Sequence, residues 1–156
     1  MEWIVMTAGY AMGLTAGVFL GFSDFIMRGL AMARDTQGAA GMIGLNRTVY
    51  RSLFMVLLMG LVPVSIGLLV AAIWLIDGLE AAMIAAGALS YLLGVFAVTG
   101  IGNVPMNNRL DAIEHRANEL AAYWPDYARR WTQLNHIRVA AAAIAALCWL
   151  SAAQMI

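Results

Sequence analysis

Long apolar runs alternate with short polar segments along the whole chain. Four runs are long enough for a helix to cross a hydrocarbon core of about 30 Å, which takes about 20 residues. These runs extend over approximately 3–22, 53–76, 81–101 and 137–156. In lipid each backbone group must be bonded within its own segment, so we predict that all four are helices. With their polar flanks, the predicted spans cover approximately 3–32, 50–77, 79–102 and 126–156.

The polar stretch between the third and fourth runs has a helical period of its own. From Met106 to Trp124, apolar side chains recur every three or four residues, which places them on one helical face. Asn103 is a suitable N-cap, and Pro105 suits the first turn. We therefore predict an amphipathic helix over approximately 104–123. The predicted fold class is all-α, a single integral membrane domain over 1–156 that forms a four-transmembrane-helix bundle with an interfacial amphipathic helix between helices 3 and 4.

The first run contains a repeat of small residues. Gly9, Gly13, Gly17 and Gly21 recur at intervals of four, the glycine-zipper pattern that lets a neighbouring helix approach closely. Two uses stay open for this face. One is packing inside the bundle, and the other is contact with a second copy of the chain or with a larger membrane complex.

Composition agrees with a membrane protein, and charge indicates its orientation. Charged residues make up 12% of the chain, against about 25% in an average soluble domain. All nine positive residues are arginines in or beside the first and third connections. By the positive-inside bias, we expect these connections in the cytoplasm and both termini outside it, in a multi-pass protein of the inner (cytoplasmic) membrane. Membrane lipids, and not nucleic acid, are the expected partners.

Four polar segments are expected to meet at the cytoplasmic end of the bundle, because the spans alternate in direction. Ionisable side chains at membrane depth are functional candidates by default, so we predict a single site there. Its residues are Asp24, Arg28, Asn46, Arg47, Asn103, Asn107, Arg109, Asn135 and Arg138, with Tyr127 and Trp131 on the same helical stripe as the last two. Two alternatives remain. Asp24 and Arg28, four residues apart, would neutralise each other as a helical ion pair. Trp124, Tyr127 and Trp131 would form an interfacial aromatic belt.

The two histidines are the remaining candidates for metal or cofactor binding. His115 and Glu119 lie four residues apart, but no third ligand is spaced to join them, so no metal site is predicted. Haem would need an axial ligand, for which His136 is the suitable residue. No cofactor is predicted, and haem bound by His136 stays an alternative.

Four segments resemble the hallmark segments of the anthrone oxygenase-like family of small four-helix membrane proteins. They read "FSDFIMRGL", "LNRTVYRSLFM", "GNVPMNNRL" and "WPDYARRWTQLNHIR", and the resemblance covers most of the chain. It implies the oxidation of an anthrone to an anthraquinone, the reaction of the characterised family members in polyketide pathways. Whether this chain is an enzyme stays open, because an accessory subunit of a larger membrane complex and a binder of an anionic lipid or amphiphile are alternatives.

An anthrone is flat, apolar and acidic at the carbon opposite its carbonyl. A base would remove that proton, and the resulting anion would react with O2 without a bound cofactor, as in a cofactor-independent monooxygenase-like oxidoreductase. Such a site needs a base and positive groups for the oxyanion. For this reaction the catalytic candidates are Asp24, Arg28, Asn135 and Arg138. The substrate-binding candidates are Asn46, Arg47, Asn103, Asn107, Arg109, Tyr127 and Trp131.

Overall fold

The computed structural model describes residues 1–34 and 36–156, which form five helices. The helices are α1 (Glu2–Ala31), α2 (Gln37–Val49), α3 (Leu53–Trp74), α4 (Gly78–Ala112) and α5 (Ala117–Ala153). All except α2 are long and apolar enough to cross a membrane. The all-helical fold with four membrane-spanning helices is therefore confirmed, and the protein is a multi-pass membrane protein.

The four long helices form a closed ring in which each one packs against two others. Helix α5 packs between α1 and α4, and α3 packs on the other sides of the same two helices. The approach of α5 to its neighbours depends on small residues. A Cβ atom added at Gly87 would lie 2.6 Å from Nε1 of Trp149, and one added at Gly9 would lie 2.7 Å from Cγ of Leu150. Ala142 and Ala145, both fully buried on α5, continue this close-packed surface.

The glycine repeat of α1 does not form one packing groove inside the bundle. Gly9 is buried against α5, but Gly13 and Gly17 are exposed and face open space. The reason is geometric, because residues four apart on an α-helix drift by about 40° per step. The buried face of α1 instead follows Val5, Met12 and Phe19 at intervals of seven.

Helix α2 lies in the first connection and was not predicted from the sequence. It carries its own buried face, which includes Ala39, Met42 and Ile43. Gly38 permits the docking of this helix, because a Cβ atom there would collide with the carbonyl group of Leu30. A separate cluster of buried residues, which we call the second cluster, forms around this face. Its members are Met27, Ala39, Met42, Ile43, Leu110, Ile113, Leu120, Trp124, Tyr127 and Trp131.

The segment expected to be one amphipathic helix over 104–123 is instead a helical hairpin. Its first part is the end of α4, the chain turns at 113–116, and its second part is the start of α5, which continues through Pro125 without a break. The predicted apolar face is buried, since the second cluster contains Leu110, Ile113, Leu120 and Trp124. The hairpin lets the two halves of that face pack on each other and on α2. A periodic pattern without glycine or proline at the turn does not reveal this reversal.

We define the arginine-rich end of the bundle as the end that carries α2. Helices α1 and α4 contain π-helical turns. They cover Phe22–Ile26 in α1, and Ser90–Ala97 and Thr99–Asn103 in α4. Pro105 has no N–H to donate to the carbonyl of Ile101, which accounts for a changed register directly before it. Such turns are frequent at functional sites, and two of these three lie beside the polar residues described next.

Candidate functional site

A cavity of about 300 Å³ lies among the four long helices beneath α2. Its wall is mostly apolar and includes Phe19, Phe22, Met42, Phe54 and Leu58. The polar side chains on the wall are those of Asn46, Thr48, Tyr50, Ser52, Thr99, Asn103, Asn107 and Arg138, with Trp131 among them. A mostly apolar cleft with a few convergent polar groups is the usual form of a small-molecule site.

Arg138 supplies the positive charge of this cavity. Its side chain is held by a 2.7 Å hydrogen bond from Nη2 to Oδ1 of Asn135 and a longer one, 3.4 Å, from Nη1 to Oγ1 of Thr99. Its Cζ atom lies 4.6 Å from the ring centroid of Phe19 and 4.9 Å from that of Trp131. The planar guanidinium group is therefore stabilised by two aromatic faces, a geometry suited to arginine.

The charge of Arg138 is not neutralised by the protein around it. No carboxylate in residues 1–34 or 36–156 forms an ion pair with it, although the residue is only 5% exposed. Its buried Nε atom has no hydrogen-bond partner there, and neither has the buried Oδ1 atom of Asn103. An unpaired charge in a membrane-spanning helix costs about 2.5–3.5 kcal/mol at mid-membrane on insertion scales. The guanidinium group of Arg138 can therefore still donate to an anionic or strongly accepting group.

Asn135 uses its whole amide group to orient Arg138. Its Nδ2 atom donates to the carbonyl oxygen of Phe19 and to Oγ of Ser23, both at 2.7 Å, while Oδ1 accepts from Arg138. Ser23 lies within the π-helical turn of α1, and Phe19 lies three residues before that turn begins. Asn135 therefore has no free polar atom for a ligand, and its role is to position the cation.

Asn107 is the centre of a second polar group, nearer to α2. Its Oδ1 atom accepts from the hydroxyl of Tyr127 at 2.8 Å and from Nε1 of Trp131 at 2.9 Å. Asn46 of α2 joins this group through a weak 3.4 Å hydrogen bond from Nδ2 to the same hydroxyl. Asn103 donates from Nδ2 to the backbone carbonyl of Trp131 at 3.3 Å. Helices α2, α4 and α5 are therefore joined at one level of the cavity.

The structure brings together seven of the residues expected at the site. Five line the cavity, and two bond to those five from behind. The first group is Asn46, Asn103, Asn107, Trp131 and Arg138, and the second is Tyr127 and Asn135. Both aromatic residues of this set are buried, so they do not form the alternative interfacial belt.

Four expected residues lie outside the cavity, and all four are exposed: Asp24, Arg28, Arg47 and Arg109. Asp24 and Arg28 do not pair with each other. The helix geometry explains Asp24, because Phe19 and Ser23 face α5 and the next residue points about 100° away from that face. Arg109 lies over the ring of Tyr123, with Cζ 4.2 Å from its centroid.

Arg47 ties α2 to the turn that joins α4 and α5. Its Nε atom donates to Asp111 at 2.8 Å, and its Nη2 atom donates to Glu114 at 2.6 Å. The hydrogen bond from Arg47 holds the pKa of Glu114 below its ordinary value and raises the pKa of Arg47. This ion pair is largely exposed and serves to fix α2 over the cavity.

The histidines lie away from the cavity. His115 and His136 are both exposed, and neither lines it. Over residues 1–34 and 36–156, no group of three or more His, Cys, Asp or Glu side chains is placed to hold a metal ion. His136, the candidate haem ligand, does not point its side chain into this site.

Sequence reasoning missed three residues that build the site, Phe19, Ser23 and Thr99. Ser23 is next to Asp24 in the sequence, and only the charged residue was expected at the site. Phe19 contributes a backbone carbonyl and a ring face, which no motif marks. Thr99 is separated from Asn103 and Asn107 by intervals of four, and that spacing was the available signal.

Comparison with known proteins identifies a family for the chain. The sequence model described as anthrone oxygenase matches residues 47–148, more than half of the chain. The matched region contains Asn103, Asn107, Trp131, Asn135 and Arg138. No curated protein and no solved structure matched the chain. On the family match, this chain belongs to the anthrone oxygenase family.

Proposed function

We propose that the cavity binds a flat, enolisable aromatic ketone of the anthrone class and promotes its oxidation by O2. The observation that carries this proposal is the buried, unneutralised guanidinium of Arg138 on the wall of an apolar cavity. The enolate of such a ketone combines an apolar ring system with a single anionic oxygen. Arg138 pairs with that oxygen, and the rings fill the space between Phe22, Phe54 and Trp131.

In the proposed reaction the substrate loses the proton from the ring carbon opposite its carbonyl, and the charge moves to the oxygen at Arg138. Removing one hydrogen-bond donor that is directed at a developing oxyanion typically lowers the reaction rate by about a hundredfold to a thousandfold. The electron-rich ring carbon then reduces O2 and forms a C–O bond, giving a hydroperoxide after protonation. Loss of water from that hydroperoxide leaves the second carbonyl. One anthrone and one O2 thus give one anthraquinone and one water.

Asp24 has no direct contact with substrate in this proposal. None of the described residues that line the cavity is a carboxylate. In this proposal the charge of Arg138 favours the enolate over the ketone, and the proton is transferred to water. An Asp24→Asn variant should therefore retain activity within about threefold. A role of Asp24 as the general base would require a much larger loss of activity.

The test is oxygen uptake and quinone formation with anthrone, using the full chain in lipid nanodiscs. The wild type should consume one O2 for each quinone formed, and Arg138→Met should lose about a hundredfold or more in rate. Arg130→Gln is the matched control, because Arg130 is exposed on the same helix and pairs with Asp126 at 3.0 Å. Equal rates in all three proteins, or none above the lipid background, would overturn the proposal.

A second candidate, binding of an anionic amphiphile, rests on the rim of the cavity. Leu45 and Tyr50 line it and are 39% and 56% exposed, so an acyl chain has an apolar path to Arg138. Mass analysis of what leaves the membrane with the purified protein separates the candidates. A stoichiometric fatty acid or phospholipid lost in Arg138→Met would favour this second function.

We also propose an orientation for the protein. The arginine-rich end carries the exposed arginines of α1, α2 and the hairpin, and the opposite end carries both termini. The bias of positive charge toward the cytoplasm supports placing the cavity near that side of the inner membrane.

A further inference from the structure

The amide group of Asn107 is locked in one orientation by two donors. Its Oδ1 atom accepts from both Nε1 of Trp131 and the hydroxyl of Tyr127. An indole N–H only donates, so the atom that faces it must be the oxygen of the amide. The Nδ2 group of Asn107 is therefore fixed on the other side, and it donates to no protein group within the described residues. Asn107 itself lines the cavity.

This free donor and the cation are separate polar groups on the cavity wall. Arg138 bonds to Thr99, whereas Asn107 is eight residues further along α4. Trp131 contacts both residues, since its ring centroid lies 4.9 Å from Cζ of Arg138 and its Nε1 atom donates to Oδ1 of Asn107. The cavity wall consequently carries a cation and, on the other side of Trp131, a neutral amide donor.

From this arrangement we infer that Asn107 is a specificity-determining residue that donates to a second oxygen on the outer ring of the substrate. Tyr127 and Trp131 are its positioning residues, since they hold the amide so that N–H, and not C=O, faces the ligand. The inference rests on the proposed function and extends it. Asn107 would favour the binding of aromatic ketones that carry an additional hydroxyl or carbonyl group, remote from the oxygen held by Arg138.

The test measures equilibrium binding under argon, so that no ligand is oxidised. The probes are anthrone and a panel of anthrones that each carry one hydroxyl on an outer ring, and the readout is quenching of tryptophan fluorescence in nanodiscs. In the wild type at least one hydroxylated probe should bind about three to ten times more tightly than anthrone, the range expected for one hydrogen bond. In Asn107→Ala that advantage should vanish, so that the hydroxylated probes bind no more tightly than anthrone does in the same variant.

The positioning role has its own pair of variants. Tyr127→Phe removes one of the two donors to Oδ1. Nε1 of Trp131 still holds the oxygen, so the hydroxyl advantage should become smaller but should not vanish. Tyr123→Phe is the matched control, because Tyr123 packs on Tyr127 at a centroid distance of 6.0 Å but does not bond to Asn107. It should keep the full advantage.

The outcomes separate the two claims. If the wild type binds anthrone in an Arg138-dependent way but shows no preference for any hydroxylated probe, the inference about Asn107 is wrong and the proposed function stands. A preference that survives in Asn107→Ala also overturns it. If no probe binds to the wild type, the proposed function itself fails.

Discussion

Nη2 of Arg138 donates a 2.7 Å hydrogen bond to Oδ1 of Asn135, three residues before it on α5. A neutral amide, not a carboxylate, is thus the main protein partner of a buried cation in a membrane-spanning helix. This pairing holds the guanidinium in place without neutralising it, and so leaves its charge available to a ligand.

Asn135→Asp should convert this cation into a buried ion pair. The new carboxylate would neutralise Arg138, and the affinity for an anionic ligand should fall by about tenfold to a hundredfold, the worth of a hydrogen bond to a charged group. Asn118→Asp, which adds the same charge at an exposed position of α5, should leave ligand binding unchanged. Binding that is equally strong in both variants would show that the charge of Arg138 is not used.

Arg138→Met should not destabilise the fold, although it removes two hydrogen bonds. Replacing an unneutralised buried charge by an apolar side chain of similar length removes its desolvation cost. We expect the free energy of unfolding to stay the same or rise by up to about 3 kcal/mol. Unfolding in mixed micelles monitors this change. A clear loss of stability would assign Arg138 a structural role.

Gly38 and Gly44 of α2 provide a matched pair for the docking of this helix. Gly38→Ala should cost about 1–3 kcal/mol or more, because its Cβ atom meets the backbone of Leu30 and not a movable side chain. Gly44→Ala should be neutral or stabilising by up to about 1 kcal/mol, since nothing lies within 4 Å of its Cβ and alanine favours a helix. Thermal unfolding of both variants compares them. Equal effects would contradict the observed packing.

The ion pair of Arg47 with Glu114 should contribute stability that depends on pH. The folded-state pKa of Glu114 is lowered, so the contribution is fully present above its ordinary value of 4.5 and is lost as the pH falls through the lower folded value. Glu114→Gln should therefore flatten the fall in melting temperature below pH 4.5 and have little influence on its pH dependence near neutrality. A profile from pH 7 to pH 3 measures this. An unchanged acid limb in the variant would show that the pair contributes nothing.

The proposed orientation is tested by reporter fusions. Reporters at the C-terminus and in the turn at Gly78 should both be located outside the cytoplasm, while one in the turn at 113–116 should be inside. A cytoplasmic signal from either of the first two would reverse the orientation.

The spans could be predicted from the sequence because hydrocarbon imposes long uninterrupted apolar helices. The site was predicted in part, because Asn103, Asn107, Asn135 and Arg138 recur at helical intervals along facing helices. The face of α1 was not predictable in the same way. Ser23, and not Asp24, faces α5 and bonds to Asn135, and neighbouring residues on a helix point in directions about 100° apart. Helix α2 was missed because its buried face, Ala39 to Ile43, is covered by residues far away in sequence.

The central claim is that Arg138 binds the anionic oxygen of an enolate. The absorption spectrum of anthrone bound to the protein under argon at neutral pH tests it most directly, because the enolate absorbs at much longer wavelength than the ketone. We expect the enolate spectrum in the wild type and in Arg130→Gln, and the ketone spectrum or no binding in Arg138→Met. Bound anthrone that keeps the ketone spectrum in the wild type, or an equal enolate fraction in Arg138→Met, would contradict it.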